Sequence, residues 1–516
     1  MSSGQPAAQG QSAAVVLTTL NARYIHSAFG LRYLKANLQG YEADCEIKEF
    51  GLDIKPEDAV EQILSLRPRI VGFGVYIWNI EPTERIVKLL KRVAPDVKIV
   101  VGGPEVSYET ESTPLCAWAD YVITGWGEVS FYHLVDQILI GNAPENGEIV
   151  GIQPPLSEIK APYHLYTEED IAHRLVYVEA SRGCPFKCEF CLSALDKTAW
   201  PFALDAFLDH LNGLYERGVR TFKFVDRTFN LKVSASIAIL DFFLARLDER
   251  LFIHFEVIPD HLPEALKEKI SQFPAGCLQF EIGIQTFNPD IQQRISRRQD
   301  NEAVAANLRW LRAHSSAYIH ADLIYGLPGE DLNSFAQGFD ALVALDPHEI
   351  QVGILKRLKG SPITRHTDEF ALVFNPNPPY NVVQTSTCSF AEVQQMNRFA
   401  RYWDLLANSG RFRATLPLLL GSTPFERFCQ LTRCLYERTG RTHKLSLLTL
   451  MEEVYAIAIG PFSLPPEQVI DALTDDHARS GLKSLPTCLQ TQRKTLARGR
   501  AQKVTTSLAK RQQRRL

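Results

Sequence analysis

The stretch LVYVEASRGCPFKCEFC (175–191) runs from a short apolar strand straight into a loop that holds three cysteines. Residues 175–180 are rich in β-branched and aromatic side chains, and Gly183 and Pro185 then break the regular pattern. Downstream, five more apolar runs follow: TFKFVD (221–226), FIHFEV (252–257), LQFEIGI (278–284), IHADLIY (319–325) and EIQVGIL (349–355). Helical periodicity fills the gaps, as in ALDAFLDHLNGLYERG (203–218) and NEAVAANLRWLRAH (301–314). Six strand–helix units predict a partial (β/α)6 barrel of the TIM type over 173–358, short of the eight units that close a full barrel. Functional groups of such folds collect on loops at the carboxyl ends of the strands, where the three cysteines fall.

Upstream, residues 14–142 show a second α/β pattern. Apolar runs at 15–20, 45–50, 70–78, 98–103 and 121–125 alternate with amphipathic stretches at 27–38, 56–66, 82–93 and 129–140. The alternation predicts a Rossmann-like, flavodoxin-like parallel sheet covered on both faces, with ligands received at its carboxyl edge. Two glycine-rich loops follow strands at that edge, GGPEV (102–106) and TGWGEVS (124–130). Their glycines either let backbone approach a ligand closely or make tight strand-to-helix turns. A Pro-rich connector is expected over 143–172, and a mainly helical region over 359–475, after NPNPPY (375–380) interrupts the pattern. Residues 1–13 read as a disordered lead-in and 476–516 as a basic, disordered tail.

Apolar content of 45% and charged content of 22% suit an ordinary globular protein. No run of about 18 apolar residues predicts a membrane span, and no basic segment with an apolar core opens the chain, so a cytoplasmic location is expected. Ten cysteines in such a chain read as thiols. Residues 480–516 hold ten Lys or Arg and no acid, so a net charge of −4 leaves about −14 on the rest of the chain. Such a tail either contacts RNA or another polyanion, or is simply solvated.

Three thiolates spaced C-x3-C-x2-C on one loop can hold one corner of an iron–sulfur cube and leave the fourth iron open to a substrate. Structural zinc, which wants four ligands from paired knuckles, is a competing reading, as are three unrelated thiols. The segment resembles the radical S-adenosylmethionine (SAM) superfamily, whose C-x3-C-x-aromatic-C signature matches Cys184, Cys188, Phe190 and Cys191. The resemblance implies a 4Fe–4S cluster on the three cysteines and SAM chelated at the open iron. Reductive cleavage would then give a 5′-deoxyadenosyl radical, with Phe190 beside the adenine. FVDRTFN (224–230), EIGIQTFNPDIQQRISR (281–297) and DLIYGLPGE (322–330) resemble later barrel signatures of the same enzymes. Asp226 is implied as the contact of the methionine amino group, although Arg227 stands where a second Asp is common. Glu281, Gln285 and Asp322 are implied as SAM or substrate contacts.

The N-terminal half resembles the cobalamin (B12) domain fused to many radical SAM enzymes. The implied contacts are Tyr24 in the first loop, then Gly102, Gly103, Pro104 and Glu105, then Gly125, Gly127 and Glu128. The Asp-x-His-x-x-Gly motif of His-ligated cobalamin proteins is absent from NARYIHSAFG (21–30), so His26 is read as structural and cobalt as lacking a histidine ligand. The order of parts is closest to class B methylases and to a bacterial subfamily with a helical C-terminal domain. Methyl transfer to an unactivated carbon leads the functions implied, with a flavodoxin or ferredoxin as electron donor and the substrate unknown. A cobalamin-dependent cyclase or rearrangement enzyme, an RNA-modifying radical SAM enzyme and a non-catalytic cobalamin sensor remain open.

Overall fold

The computed structural model describes residues 12–196 and 198–492. The first unit is a six-stranded parallel sheet built from β1 (Val15–Asn21), β2 (Cys45–Gly51), β3 (Ile70–Gly74), β4 (Lys98–Gly102), β5 (Tyr121–Thr124) and β6 (Gly147–Val150). Their order is β2-β1-β3-β4-β5-β6, the flavodoxin-like arrangement with one strand added. Successive strand residues bury on opposite faces. Val16, Val71, Ile99 and Val101 pack on α2 (Pro56–Leu64) and α3 (Ile80–Val93), while Val15, Leu17, Ile70 and Val100 pack on α1 (Phe29–Ala36) and α4 (Glu128–Leu139). Strand β6 lies inside the stretch expected to be a connector. It is an edge strand whose residues are mostly exposed, so it carries no apolar pattern to announce it.

A short helix, α5 (Glu168–His173), leads to the second unit. There β7 (Val176–Val178) is followed by β8 (Ser181–Gly183), which pairs antiparallel with β9 (Ala199–Pro201) and closes the base of the cysteine loop. The remaining strands are β10 (Thr221–Phe224), β11 (Phe252–Val257), β12 (Leu278–Gln285), β13 (Tyr318–Tyr325) and β14 (Glu349–Ile354). They pair in the order β14-β13-β12-β11-β10-β7, all parallel, so the barrel has six strands and an open side between β7 and β14. Helices α6 (Leu204–Glu216), α7 (Val233–Leu244), α8 (Glu264–Ile270), α9 (Pro289–Arg294), α10 (Asn301–His314) and α11 (Leu332–Ala344) lie between the strands in sequence.

After a small hairpin of β15 (Val373–Phe374) and β16 (Val382–Gln384), the chain is helical. The helices are α12 (Phe390–Trp403), α13 (Thr415–Leu420), α14 (Pro424–Thr439), α15 (Leu447–Ile459) and α16 (Pro466–Ser480), so the helical region runs past 475. It shares one core with the barrel. Phe339 of α11 meets Phe399 at 5.1 Å and Trp403 at 4.8 Å, and Phe399 meets Phe428 at 4.8 Å. Each such side chain contributes roughly 1.5–3 kcal/mol on burial, enough to fix α12 beside β14. Asn408 protects the open edge strand, accepting from the Ile350 N–H at 3.0 Å and donating to the Ile350 carbonyl at 2.8 Å.

The two sheets are joined by polar contacts. His26 lies 2.6 Å from the Tyr177 hydroxyl, next to a backbone bridge to Leu175, which is a structural role. Buried Arg32 pairs with Glu49 at 2.7 Å and Asp170 at 2.8 Å, and Arg174 reaches Glu49 at 3.1 Å. Among the described residues no helix is long and apolar enough to cross a membrane. Of the disordered lead-in expected at 1–13 and the disordered basic tail expected at 476–516, residues 1–11 and 493–516 lie outside the described residues; the tail expectation is corrected at its start, where α16 runs on to Ser480 and Leu489 is buried.

Candidate functional site

The barrel holds a cleft of about 250 Å3 at the carboxyl ends of its strands. One wall is the cysteine loop, with Cys184, Cys188, Cys191 and Phe190 all facing the cleft. The loop is fastened from behind by Glu189, a buried residue between two of the cysteines. Its carboxylate accepts from Ser296 at 2.5 Å, lies 2.8 Å from the His366 ring and pairs with Arg365, while its backbone bonds Ile295 and Ile363. Arg297 comes within 3.6 Å of the Cys188 sulfur. Burial pushes the Cys184 and Cys188 thiols up, while Arg297 works against this at Cys188. Thiols in that position need a cation to become thiolates, which iron supplies. Among the described residues no three His, Cys, Asp or Glu side chains converge on one point as a single-ion site requires. A cluster takes one thiolate per iron, so its ligands surround a volume instead. The three cysteines on one cleft wall fit that group.

The opposite wall is polar. Glu256, Glu281, Gln285 and Asp322 line it together with Arg227 and Arg297. Arg227 grips Glu256 through both carboxylate oxygens at 2.8 and 2.9 Å. Burial opposes ionisation of Glu281, yet His254 at 3.1 Å and the charges of Lys223 and His320 hold its carboxyl down at about 2. Asp322 is pushed up by burial despite His320 at 3.2 Å. Gln285 stands at a register break between β12 and β13 with φ of 70°, a conformation costly for a residue with a side chain. Bulges and strained residues cluster where a side chain must be re-aimed, and this one turns Gln285 into the cleft.

Asp226 is a correction to the expected set. It does not line the cleft; its carboxylate, 3% exposed, accepts from the Ala180 N–H at 3.0 Å and the Ser181 hydroxyl at 2.6 Å. Burial raises it to about 7 against those bonds. Its neighbour Arg227 takes the cleft-facing position.

The first sheet holds a second cavity, of about 270 Å3, at its own carboxyl edge. Gly72 and Gly74 of β3, Val100 and Gly102 of β4 and Ile123 of β5 form its floor, with α1 and α4 as roof. Gly103, Gly125, Gly127 and Glu128 also line it. Gly103 has a second reason to be glycine: at φ of 112°, an added Cβ would sit 2.6 Å from the Val75 carbonyl. Three expected contacts lie elsewhere. Pro104 only opens a short helical turn outside the cavity. Glu105 is buried against Lys359 at 3.3 Å and the Tyr380 hydroxyl at 2.7 Å. Tyr24 is exposed, donating to Glu169 at 2.6 Å with Arg174 over its ring.

Several lining residues were missed by sequence reasoning. Gly72 and Gly74 carried a signal, since glycines two apart in a strand clear one face. Arg182 carried none. It lines the first cavity from the barrel side, pairs with Glu128 at 2.6 Å and Glu179 at 2.8 Å, and lies over the Tyr33 and Trp126 rings at 4.4 and 4.9 Å. Two residues later the chain reaches Cys184.

Comparisons with known proteins agree with this division. The family described as B12 binding domain matches residues 15–135 and the Radical SAM superfamily matches 178–342. A family described as Protein of unknown function (DUF4080) matches 368–515. An uncharacterized methyltransferase of Pyrococcus horikoshii is 29% identical over 301 residues, which is 52% of this chain and 62% of that protein. The cobalamin-dependent radical SAM methyltransferase TokK of Streptomyces tokunonensis is 23% identical over 331 residues, 56% of this chain and 47% of that one. The chain thus spans less than two thirds of the length of these relatives. Among solved structures, the radical SAM methyltransferase TsrM of Kitasatospora setae superposes with a TM-score of 0.57 at 18% identity, covering 70% of this chain and 77% of that one. The cobalamin-dependent SAM radical enzyme OxsB gives 0.60 at 14% identity, covering 94% and 81%. The first cavity lies largely within the segment that matches the B12 binding domain, and the cysteine loop and six-stranded barrel lie largely within the segment that matches the Radical SAM superfamily.

Proposed function

We propose that the chain is a cobalamin-dependent radical SAM methyltransferase acting on an unactivated carbon. The observation that carries this reading is that one chain has two cavities at the carboxyl edges of its two parallel sheets, one in the segment that matches the B12 binding domain and one walled by three cysteines. When bound, the cluster would supply the single electron that cleaves SAM to a 5′-deoxyadenosyl radical, and cobalamin would supply the methyl carrier. Cys184, Cys188 and Cys191 would hold the cluster, with electrons from a flavodoxin- or ferredoxin-type donor.

The remaining groups bind and orient. Arg297 lowers the cost of negative charge on the Cys188 sulfur. Glu281, ionised at any physiological pH, presents a fixed acceptor for hydroxyl or ammonium donors of SAM. Gln285 and the Arg227–Glu256 pair complete the polar side, and Phe190 forms an apolar wall. In the first sheet, the apolar floor of Gly72, Val100 and Ile123 takes a flat apolar group by shape alone.

The test is anaerobic reconstitution with iron, sulfide, cobalamin and a strong reductant, followed by assay of 5′-deoxyadenosine from SAM. The wild-type chain is expected to form it, and Cys188→Ala to fall to background. Equal turnover in the two proteins would remove the assignment.

A further inference from the structure

Helix α9 ends in a Schellman motif: the Ser296 N–H donates to the Gln293 carbonyl at 3.1 Å and the Arg297 N–H to the Gln292 carbonyl at 2.8 Å. The residue that such a motif places in the left-handed region is usually glycine. Here it is Ser296, with φ of 55°. A side chain is costly in that conformation, so the serine needs a partner that holds it there. Glu189 is that partner. Its carboxylate accepts from the Ser296 hydroxyl at 2.5 Å, and its N–H donates to the Ile295 carbonyl at 3.1 Å, so side chain and backbone both meet the end of α9.

The carboxylate is itself fixed from the other side. Only 3% of Glu189 is exposed, and its carboxylate lies 2.8 Å from the His366 ring and pairs with Arg365. Both belong to the short helical turn Pro362–His366, where the Ile363 N–H also donates to the Glu189 carbonyl at 3.0 Å. That turn follows β14 and lies beyond residues 178–342, which match the Radical SAM superfamily. What this arrangement aims is the next residue, Arg297. Its guanidinium approaches the Cys188 sulfur at 3.6 Å, donates to the Gly283 carbonyl, reaches Gln299 at 3.0 Å and lines the cysteine cleft. Without the left-handed residue the chain would leave α9 in another direction, and Arg297 with it. A cationic N–H donor at a ligating sulfur stabilises the negative charge that a cluster gains on reduction.

We propose that Ser296 and Glu189 are positioning residues, which hold Arg297 on the Cys188 sulfur and thereby ease one-electron reduction of a cluster bound there. The inference rests on the reading of Cys184, Cys188 and Cys191 as ligands of that cluster. It explains why a strained serine stands where glycine would relax the backbone: only the hydroxyl ties the end of α9 to the cysteine loop. It also gives the turn after β14 a role at the reaction centre, because that turn fixes the Glu189 carboxylate.

The test is the midpoint potential of the reconstituted full-length chain, followed by electron paramagnetic resonance during titration with a low-potential reductant and without SAM. Ser296→Gly suits it, because the change removes the hydroxyl, alters no charge and relieves the backbone. Reduction is expected to become about tenfold less favourable, or about 59 mV lower for one electron, as loss of one charge-assisted hydrogen bond allows. Iron content per chain should stay unchanged. Arg297→Met should lower the potential at least as far, and adding Ser296→Gly to it should give no further shift. Arg297→Gln is the second background, with the same expectation, should the methionine variant fail to fold. No further shift is expected in Glu189→Ala either, which removes the acceptor of the hydroxyl. If Ser296 served the fold alone, the glycine change would leave the potential where it was, or move it equally with and without Arg297; either result would overturn the proposal. A wild-type chain that takes up no cluster would overturn the reading of the three cysteines and the inference with it. A loaded wild type with an unmoved Ser296→Gly variant would overturn the inference alone.

Discussion

The two cavities are nearly equal, about 270 and 250 Å3, and both open at the carboxyl edge of a parallel sheet. They differ in what faces inward. The first is floored by glycines and aliphatic side chains, and its one strong charge cluster, Arg182 with Glu128, sits at the rim towards the barrel. The second is ringed by the carboxylates of Glu256, Glu281 and Asp322, the first gripped by Arg227, with a glutamine on a bulge and three thiols. The same architecture therefore serves two kinds of recognition, by shape in one sheet and by charge in the other. A shape site is broken by adding atoms, whereas a charge site is broken by removing them.

The largest structural effect is expected where the two regions meet. Arg182→Met leaves Glu128 and Glu179 buried beside each other without their shared cation. Removing one partner of such a network costs about 3–5 kcal/mol. The denaturant midpoint should fall accordingly, and loading of iron and of cobalamin should fall together. Loss of only one cofactor would show the two regions to be independent.

A smaller effect is expected within the shape site. A Cβ at Gly72 would meet Leu17 at 2.8 Å and Phe131 at 3.3 Å, so Gly72→Val overpacks the floor by about 1–3 kcal/mol. Cobalamin affinity should drop by roughly tenfold to a hundredfold while iron content per chain stays unchanged. A parallel loss of iron would contradict the separation drawn above.

The smallest concerns Asp226, whose folded carboxyl is raised to about 7 from an ordinary 3.8. Between those values the folded chain keeps a proton that the unfolded chain has lost. This group's contribution to stability is therefore full below about pH 4, declines as pH rises, and is flat above about pH 7. Asp226→Asn should remove that decline and gain about 1 kcal/mol at pH 8, after the weaker hydrogen bonds are counted. Unfolding curves across pH 5–8 would check it, and an unchanged slope would dismiss the role.

The strands were legible because parallel strands buried on both faces are nearly continuous apolar runs, as in IVGFGVYIW and LQFEIGI. Strand β6 was not, since an exposed edge strand has nothing apolar to show. The cysteines and the glycine loops declared themselves by spacing. Asp226 was misplaced by likeness of motif, although strand parity already pointed the other way: it shares a face with Phe222 and Phe224, which pack on the helices, while Arg227 shares one with Lys223. Glu105 could not be read at all, because Tyr380, which binds it, lies 275 residues along the chain. Sequence spacing reports on local geometry and is silent on partners that only folding brings together.

The central claim is that one chain holds a three-cysteine cluster and cobalamin in two chemically different cavities. Its most direct test is the visible and electron paramagnetic resonance spectrum of protein purified and reconstituted without oxygen, with iron and cobalt quantified per chain. The account predicts both a sulfur-to-iron charge-transfer band and a corrin spectrum in the wild type, with only the corrin spectrum kept in the Cys184, Cys188 and Cys191 alanine variants. A wild-type protein that takes up neither group, or a triple variant that keeps its iron, would contradict it.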